Sequence, residues 1–215
     1  MDSTPLLNVQ GLVKQYVRGW PRRQVTFELQ ADLHVDGPGV IGVMGANGAG
    51  KTTLFELMTG GNTPTAGRVE VNGQDIHHIR YDERARLALH YHQSYQLRSF
   101  RRTRPAFMLQ RAASEQALVH LFDEPQFNVQ DGYIGFMLDF FRHLREQGRL
   151  VFLCLHPNEP VHMEILAEAC ERFVFVHKGP DRISRLVQAE DLASLAQHEA
   201  VRAYLGRLCP TVTMP

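Results

Sequence analysis

Three cysteines among 215 residues leave this sequence without a disulfide framework. Cys154, Cys170 and Cys209 are widely spaced and form no C-x-x-C pair, which argues against a zinc ribbon or a dithiol redox motif and for free thiols in a reducing compartment. There is no charge imbalance either: Lys plus Arg and Asp plus Glu both number 23. A zero net charge removes bulk attraction to nucleic acid or anionic lipid, so nucleic acid is not an expected partner. Long apolar runs are also missing. Leu150 to Leu155 is among the longest, whereas a helix crossing a bilayer needs roughly 20 apolar residues. Met1 to Gln10 has neither the basic start nor the apolar stretch of a secretory signal. These absences lead to the expectation of a cytoplasmic protein. No internal repeat, low-complexity tract or linker breaks the chain, and residues 1–215 read as a single domain.

What is present centres on Val40 to Gly60. Val40 to Met44 is an apolar run that reads as a buried strand. Gly45 to Thr52 then fills G-x-x-x-x-G-K-[ST] without a mismatch, and Thr53 to Met58 reads as the first turns of a helix. Gly45, Gly48 and Gly50 let the backbone turn its N–H groups inward around phosphate oxygens. The helix N-terminus adds unpaired N–H groups and a partial positive charge. Lys51 can reach the outer phosphates, and the Thr52 hydroxyl can ligate Mg²⁺. The expected ligand is a nucleoside triphosphate.

Around this stretch, Leu6 to Val9 reads as a short strand with Tyr16 in the turn region after it. Val25 to Val35 alternates strictly and predicts a half-buried strand. Arg68 to Val71 and Gln74 to Ile76 flank Asn72-Gly73, a tight-turn signal. Ile76 to Arg86 reads as a short helix, and Leu87 to Tyr91 as a strand ending near Gln93. Ala106 to Ala113 reads as a helix opened by Pro105. Ala117 to Phe122 is a buried strand running into Asp123-Glu124-Pro125. Tyr133 to Gln147 has helical periodicity and stops at Gly148. Leu150 to Leu155 and Phe173 to Val176 are strands, with a helix over Val161 to Cys170. Glu190 to Leu208 reads as one C-terminal helix packed on the core. The fold class expected is α/β: a mainly parallel sheet built around the P-loop, with an N-terminal antiparallel layer.

A triphosphatase also needs a carboxylate for Mg²⁺ and a group to position the attacking water. Asp123, at the end of a buried strand, is placed for the metal. Glu124, next in sequence, can polarise water. His120 inside the same strand reads as a tolerated core or edge residue and not as a ligand.

In this order the chain resembles the nucleotide-binding domain of the ATP-binding cassette (ABC) ATPases. Gly45 to Thr53, with Asn47 inside it, matches Walker A, and Leu121 to Pro125 matches Walker B. The resemblance implies that Tyr16 stacks on adenine. It implies that Gln93 is the Q-loop glutamine at Mg²⁺ and the attacking water, and that His156 is the switch histidine at the γ-phosphate. It further implies a partner, either a membrane-embedded transporter subunit or a second ATP-binding cassette. The chain would then sit peripherally on the inner face of the cell membrane.

The chain also departs from that family. Only 29 residues lie between Gln93 and Asp123, where the family has a helical subdomain and an L-S-G-G-Q signature. The equivalent of the signature, Ser99 to Thr103, has no glycine, so the subdomain is expected to be minimal or absent. The D-loop equivalent, Phe127 to Gln130, departs as well. Arg84 to Ser114 holds no acidic residue but contains Arg84, Arg86, Arg98, Arg101, Arg102, Arg104 and Arg111. This stretch reads as a solvated face balanced by acidic groups elsewhere, as a docking surface for an acidic partner over Arg98 to Arg111, or as a source of charge for a γ-phosphate in trans through Arg101, Arg102 or Arg104. The function expected is an ATP-binding, ATP-hydrolysing subunit of an ABC-type transporter or related membrane complex. The alternative is a nucleotide-gated assembly subunit with little or no hydrolysis.

Overall fold

A computed structural model describes residues 4–92, 117–125 and 133–209. Its frame is the pair of long strands β1 (Leu7–Arg18) and β2 (Gln24–Val35), which run antiparallel with Leu7 opposite Val35 and Tyr16 opposite Phe27. The period-two alternation of β2 buries Leu29, Ala31, Leu33 and Val35 on one face, as a half-buried strand requires. β1 is longer than the sequence suggests, because a register shift between Val9 and Leu12 carries it past an irregular step at Gly11. Tyr16 therefore lies on a strand and not in a turn.

After β2 come β3 (Gly39–Met44), α1 (Lys51–Met58), the hairpin β4 (Ala66–Val71) and β5 (Gln74–Asp75), α2 (Tyr81–Leu87) and β6 (Ala88–His92). Then follow β7 (Val119–Asp123), α3 (Tyr133–Glu146), β8 (Leu150–Cys154), α4 (Pro160–Ala169), β9 (Arg172–Lys178) and β10 (Ile183–Ala189). The described chain closes with α5 (Leu192–Ala196), α6 (Glu199–Leu205) and a 3₁₀ turn at Gly206–Leu208. Among the described residues, ten strands join in the order β5-β4-β1-β2-β10-β9-β3-β8-β7-β6. From β9 to β6 all neighbours are parallel; from β2 to β5 all are antiparallel. Ile183 and Ser184 of β10 bridge the halves by pairing parallel to Glu28 and Leu29. The antiparallel portion thus continues the same mixed sheet.

The interior parallel strands β3 and β8 are apolar throughout because both faces are covered. Ile41, Val43, Leu121, Phe152 and Val174 face one cluster, which Leu54, Phe55, Leu57 and Met58 of α1 and the antiparallel portion close. Val40, Met44, Phe122, Val151, Leu153 and Phe175 face the other, closed by α3, α4 and the C-terminal helices. α3 stops at Gly148 (φ 78), where Gly148 N–H donates to Arg145 O at 2.9 Å and Arg149 N–H to Leu144 O at 3.1 Å, a Schellman pattern.

Three elements besides β1 differ from the sequence reading. β10 was not foreseen, because its apolar residues are interrupted by Ser184, Arg185 and Gln188. The single helix expected over Glu190 to Leu208 is two short helices and a 3₁₀ turn, since each segment has its own cap. Asp191 accepts from Ser194 N–H at 2.6 Å, and the His198 imidazole accepts from Ala200 N–H at 3.3 Å. The helix expected from Ile76 starts only at Tyr81, because Asp75 ties the preceding residues into a turn through His77 N–H at 2.9 Å. The helix over Ala106 to Ala113 and the readings on Ser99 to Thr103, Arg98 to Arg111 and Phe127 to Gln130 lie outside the described residues. Among the described residues, no helix is long and apolar enough to cross a membrane.

Candidate functional site

β3 delivers the chain to its C-terminal edge at Met44, and the loop to α1 begins there. Gly45 (φ 151) passes so close to β9 that a Cβ would stand 2.3 Å from the Val176 carbonyl oxygen. Gly50 (φ 105) opens α1 in a left-handed conformation, and a Cβ on it would meet Phe27 Cζ at 2.8 Å. Both positions therefore need glycine for conformation and for space. As the residue before the helix, Gly50 has no capping side chain, so the first-turn amides depend on partners from outside the helix. Lys51, only 6% exposed, folds back over the loop and donates to the carbonyls of Gly45 at 2.7 Å and Ala46 at 3.2 Å. A buried ammonium bonded to the loop that it overhangs concentrates positive charge where phosphate oxygens would lie.

β7 runs parallel between β6 and β8 and ends at Asp123, which is 4% exposed. Thr52 donates its hydroxyl to Asp123 Oδ2 at 2.8 Å, joining α1 to the end of β7. His90 Nε2 of β6 lies 3.4 Å from the same oxygen. Burial alone would raise the Asp123 carboxyl, but hydrogen bonds from His90 and Thr52, the His90 charge and the Cys154 thiol outweigh it and hold it below its ordinary value. Cys154 is itself pushed well above the ordinary thiol value by burial and then by the Asp123 charge, so it stays protonated as a donor. The site therefore holds an ionised buried carboxylate beside a hydroxyl. These are hard oxygen donors of the kind Mg²⁺ prefers, and they fit that ion.

Glu124 follows in the left-handed region (φ 51), immediately before Pro125, a combination that sterics disfavour. Its N–H donates to Cys154 O at 3.0 Å, so the end of β8 fixes the turn. The side chain reaches a cleft of about 540 Å³ lined also by Tyr16, Arg18, Phe27, Asn47, Gly48, Gly50, Lys51, Thr52 and Thr53. Tyr16 is 38% exposed there. Its ring lies 5.7 Å from Phe27, its hydroxyl accepts from Asn62 Nδ2 at 2.7 Å, and Lys14 Nζ stands 5.1 Å from its centroid.

The structure thus gathers Tyr16, Asn47, Gly48, Gly50, Lys51, Thr52, Thr53 and Glu124 around one cleft, with Asp123 buried behind Thr52. Gly45 shapes the loop from beneath. His156 follows β8 and is exposed, not a wall of that cleft; Tyr204 lies beside it. Gln93 lies outside the described residues. His120 is a core residue, as read from the sequence: fully buried, with Nε2 3.0 Å from Ala117 O and Nδ1 3.1 Å from Tyr91 Oη. Four contributors escaped sequence reasoning: Phe27, His90, Cys154 and Tyr204. The β1–β2 register would have exposed Phe27 beside Tyr16. The others meet their partners only across the assembled sheet.

A family model for ABC transporters matches residues 30–106. The LolD ATP-binding protein of the lipoprotein-releasing system of Coxiella burnetii is 35% identical over 88 residues, 40% of this chain and 36% of that protein. The chain thus matches little more than a third of that relative's length. Among solved structures, the dimeric cassette MJ0796 bound to ADP and Pi superposes with a TM-score of 0.63 at 13% identity, over 86% of this chain and 98% of that one. An ATP-bound bacterial Atm1-family ABC exporter gives 0.69 at 14% identity, over all of this chain and 43% of that one. At such identities the structures speak to fold alone, and the sequence match speaks to the phosphate-loop region. Residues 30–106 are thus similar in sequence to the ABC transporter family, and the fold around them is similar to that of solved ABC cassettes.

Proposed function

We propose that residues 1–215 act as one ATP-binding, ATP-hydrolysing domain serving a transporter or related membrane complex. The observation that carries this reading is the 2.8 Å bond from Thr52, in the first turn of α1 after the phosphate loop, to the buried carboxylate of Asp123. In this reading Gly45, Asn47, Gly48, Gly50, Lys51, Thr52 and Thr53 bind the phosphates, and Tyr16 packs on the base. Thr52 and Asp123 hold Mg²⁺, with Gln93 completing the set. The ion when bound supplies positive charge that offsets the charge on the phosphate oxygens. Lys51 adds a fixed ammonium to the same oxygens. Glu124 orients a water by accepting its proton, and its backbone bond to Cys154 O limits how far the carboxylate can wander. His156 donates to the γ-phosphate.

The LolD relative is an ATP-binding part of a release system, and the MJ0796 cassette is dimeric. Both support a partner for this chain: a membrane-embedded subunit or a second cassette, holding it at the inner face of the cell membrane. One sequence fact favours the slower, nucleotide-gated alternative, namely that Ser99 to Thr103 lacks the glycines of a signature. Phosphate-release assays on wild type and Glu124→Gln test the proposal. Wild type should turn over ATP, and the variant should bind ATP but release no phosphate. Equal release by both would overturn the assignment of Glu124, while no release by wild type, alone or with its partners, would favour the gated reading.

A further inference from the structure

The C-terminal helices bring Tyr204 to the end of β8. Val201 and Leu205 anchor α6 in the core, and Arg202 Nη1 clamps its start by donating to Ala196 O at 3.2 Å and to Gln197 O. The Tyr204 ring rests on Phe175 of β9, centroids 5.3 Å apart. Its oxygen lies 2.8 Å from His156 Nδ1, with the two rings edge to face at 65°. A phenylalanine would fill the same place against Phe175, so the hydroxyl is the chemically distinct feature. Burial pushes the phenol up to about 12, with the backbone amide of Gly45 working against that rise, so the oxygen keeps its proton at neutral pH.

A phenol has one proton to donate and can accept as well. Of the two groups the phenol is the stronger donor and the imidazole nitrogen the stronger acceptor, so the favourable use of the O–H is donation to His156 Nδ1. A neutral imidazole that accepts at Nδ1 carries its proton on Nε2. We propose that Tyr204 is a positioning residue that locks His156 in the Nε2–H tautomer beside the first glycine of the phosphate loop. His156 is exposed, so its Nε2–H is available to a bound phosphate oxygen. This inference rests on the nucleotide-site reading for its purpose but not for its geometry. It gives the C-terminal segment, which lies beyond the 30–106 family match, a direct role at the site.

The test uses the full chain with ¹⁵N-labelled histidine. The His156 resonances, among those of 11 histidines, are assigned by their loss in His156→Ala. Long-range ¹⁵N–¹H correlation near pH 8 should show wild-type His156 protonated at Nε2. Tyr204→Phe, which keeps the ring packing, should show a mixed tautomer. Its ATP turnover should fall about tenfold in kcat with KM little changed, as for other residues that orient a catalytic imidazole. A wild-type His156 protonated at Nδ1, or a tautomer unchanged by Tyr204→Phe, would overturn the proposal. Should wild type hydrolyse no ATP, the function reading fails, but the tautomer comparison still decides the role of Tyr204.

Discussion

His120 offers a prediction whose size follows from the structure. The ring is fully buried beside Tyr91, at 5.9 Å and nearly parallel to it, and Phe122, at 6.4 Å. Burial, followed by the charge of Arg149, lowers its pKa from 6.5 to about 4, with the bond to Ala117 O offsetting only part of this. Above pH 6.5 the imidazole is neutral in both folded and unfolded chains, and the group imposes no penalty. As pH falls below that, the unfolded chain takes up a proton that the folded chain refuses, so stability drops by about 1.4 kcal/mol per pH unit. The loss levels off near pH 4, where the folded state protonates too, and totals about 3 kcal/mol. His120→Phe keeps the aromatic stack but leaves Ala117 O without its donor, costing about 1–2 kcal/mol at pH 7.5. The variant should therefore be the less stable protein at pH 7.5 and the more stable one near pH 4.5. Urea unfolding followed by circular dichroism, in parallel across this range, reads the difference, and other titrating groups cancel because both proteins share them. A difference that does not change with pH would refute the reasoning, because His120 would then titrate alike in folded and unfolded chains.

Two further outcomes follow from the loop and the turn. Gly50→Ala forces a Cβ to 2.8 Å from Phe27 Cζ at φ 105, and should lower stability by about 1–3 kcal/mol and weaken ATP binding several-fold. Unchanged affinity for a fluorescent ATP analogue would separate the loop amides from binding. Glu124→Gly removes the side chain from a left-handed position (φ 51), and should raise stability by about 1 kcal/mol while abolishing turnover; a lower urea midpoint would show that the side chain, not the backbone, governs this turn.

Legibility in the sequence followed the range of the physics. The phosphate loop, the β7 end at Asp123-Glu124 and the Gly148 stop are local patterns of glycine, charge and apolar run, and each appears where those patterns put it. The alternation of β2 fixed its buried face in the same way. What was hidden depends on chains meeting at a distance. Tyr16 became a strand residue only through its pairing with Phe27. β10 holds together by pairing with β9 and bridging to β2, and its own apolar pattern is broken by Ser184, Arg185 and Gln188. The C-terminal helix was split by the caps at Asp191 and His198, polar residues that a helical-face reading passes over. Asp123 was legible as a metal-binding candidate, but not the ring of His90, Thr52 and Cys154 that keeps its carboxylate ionised.

The claim that Lys51, Thr52 and Asp123 form a nucleotide site is tested most directly by calorimetric titration of the purified chain with MgATP, alongside Lys51→Ala. Wild type should bind saturably with one ATP per chain, and Lys51→Ala should lose at least about 1.5–3 kcal/mol of that binding, as expected for a hydrogen bond to a charged group. Absence of saturable binding by wild type, or equal affinity in the two proteins, would contradict the account.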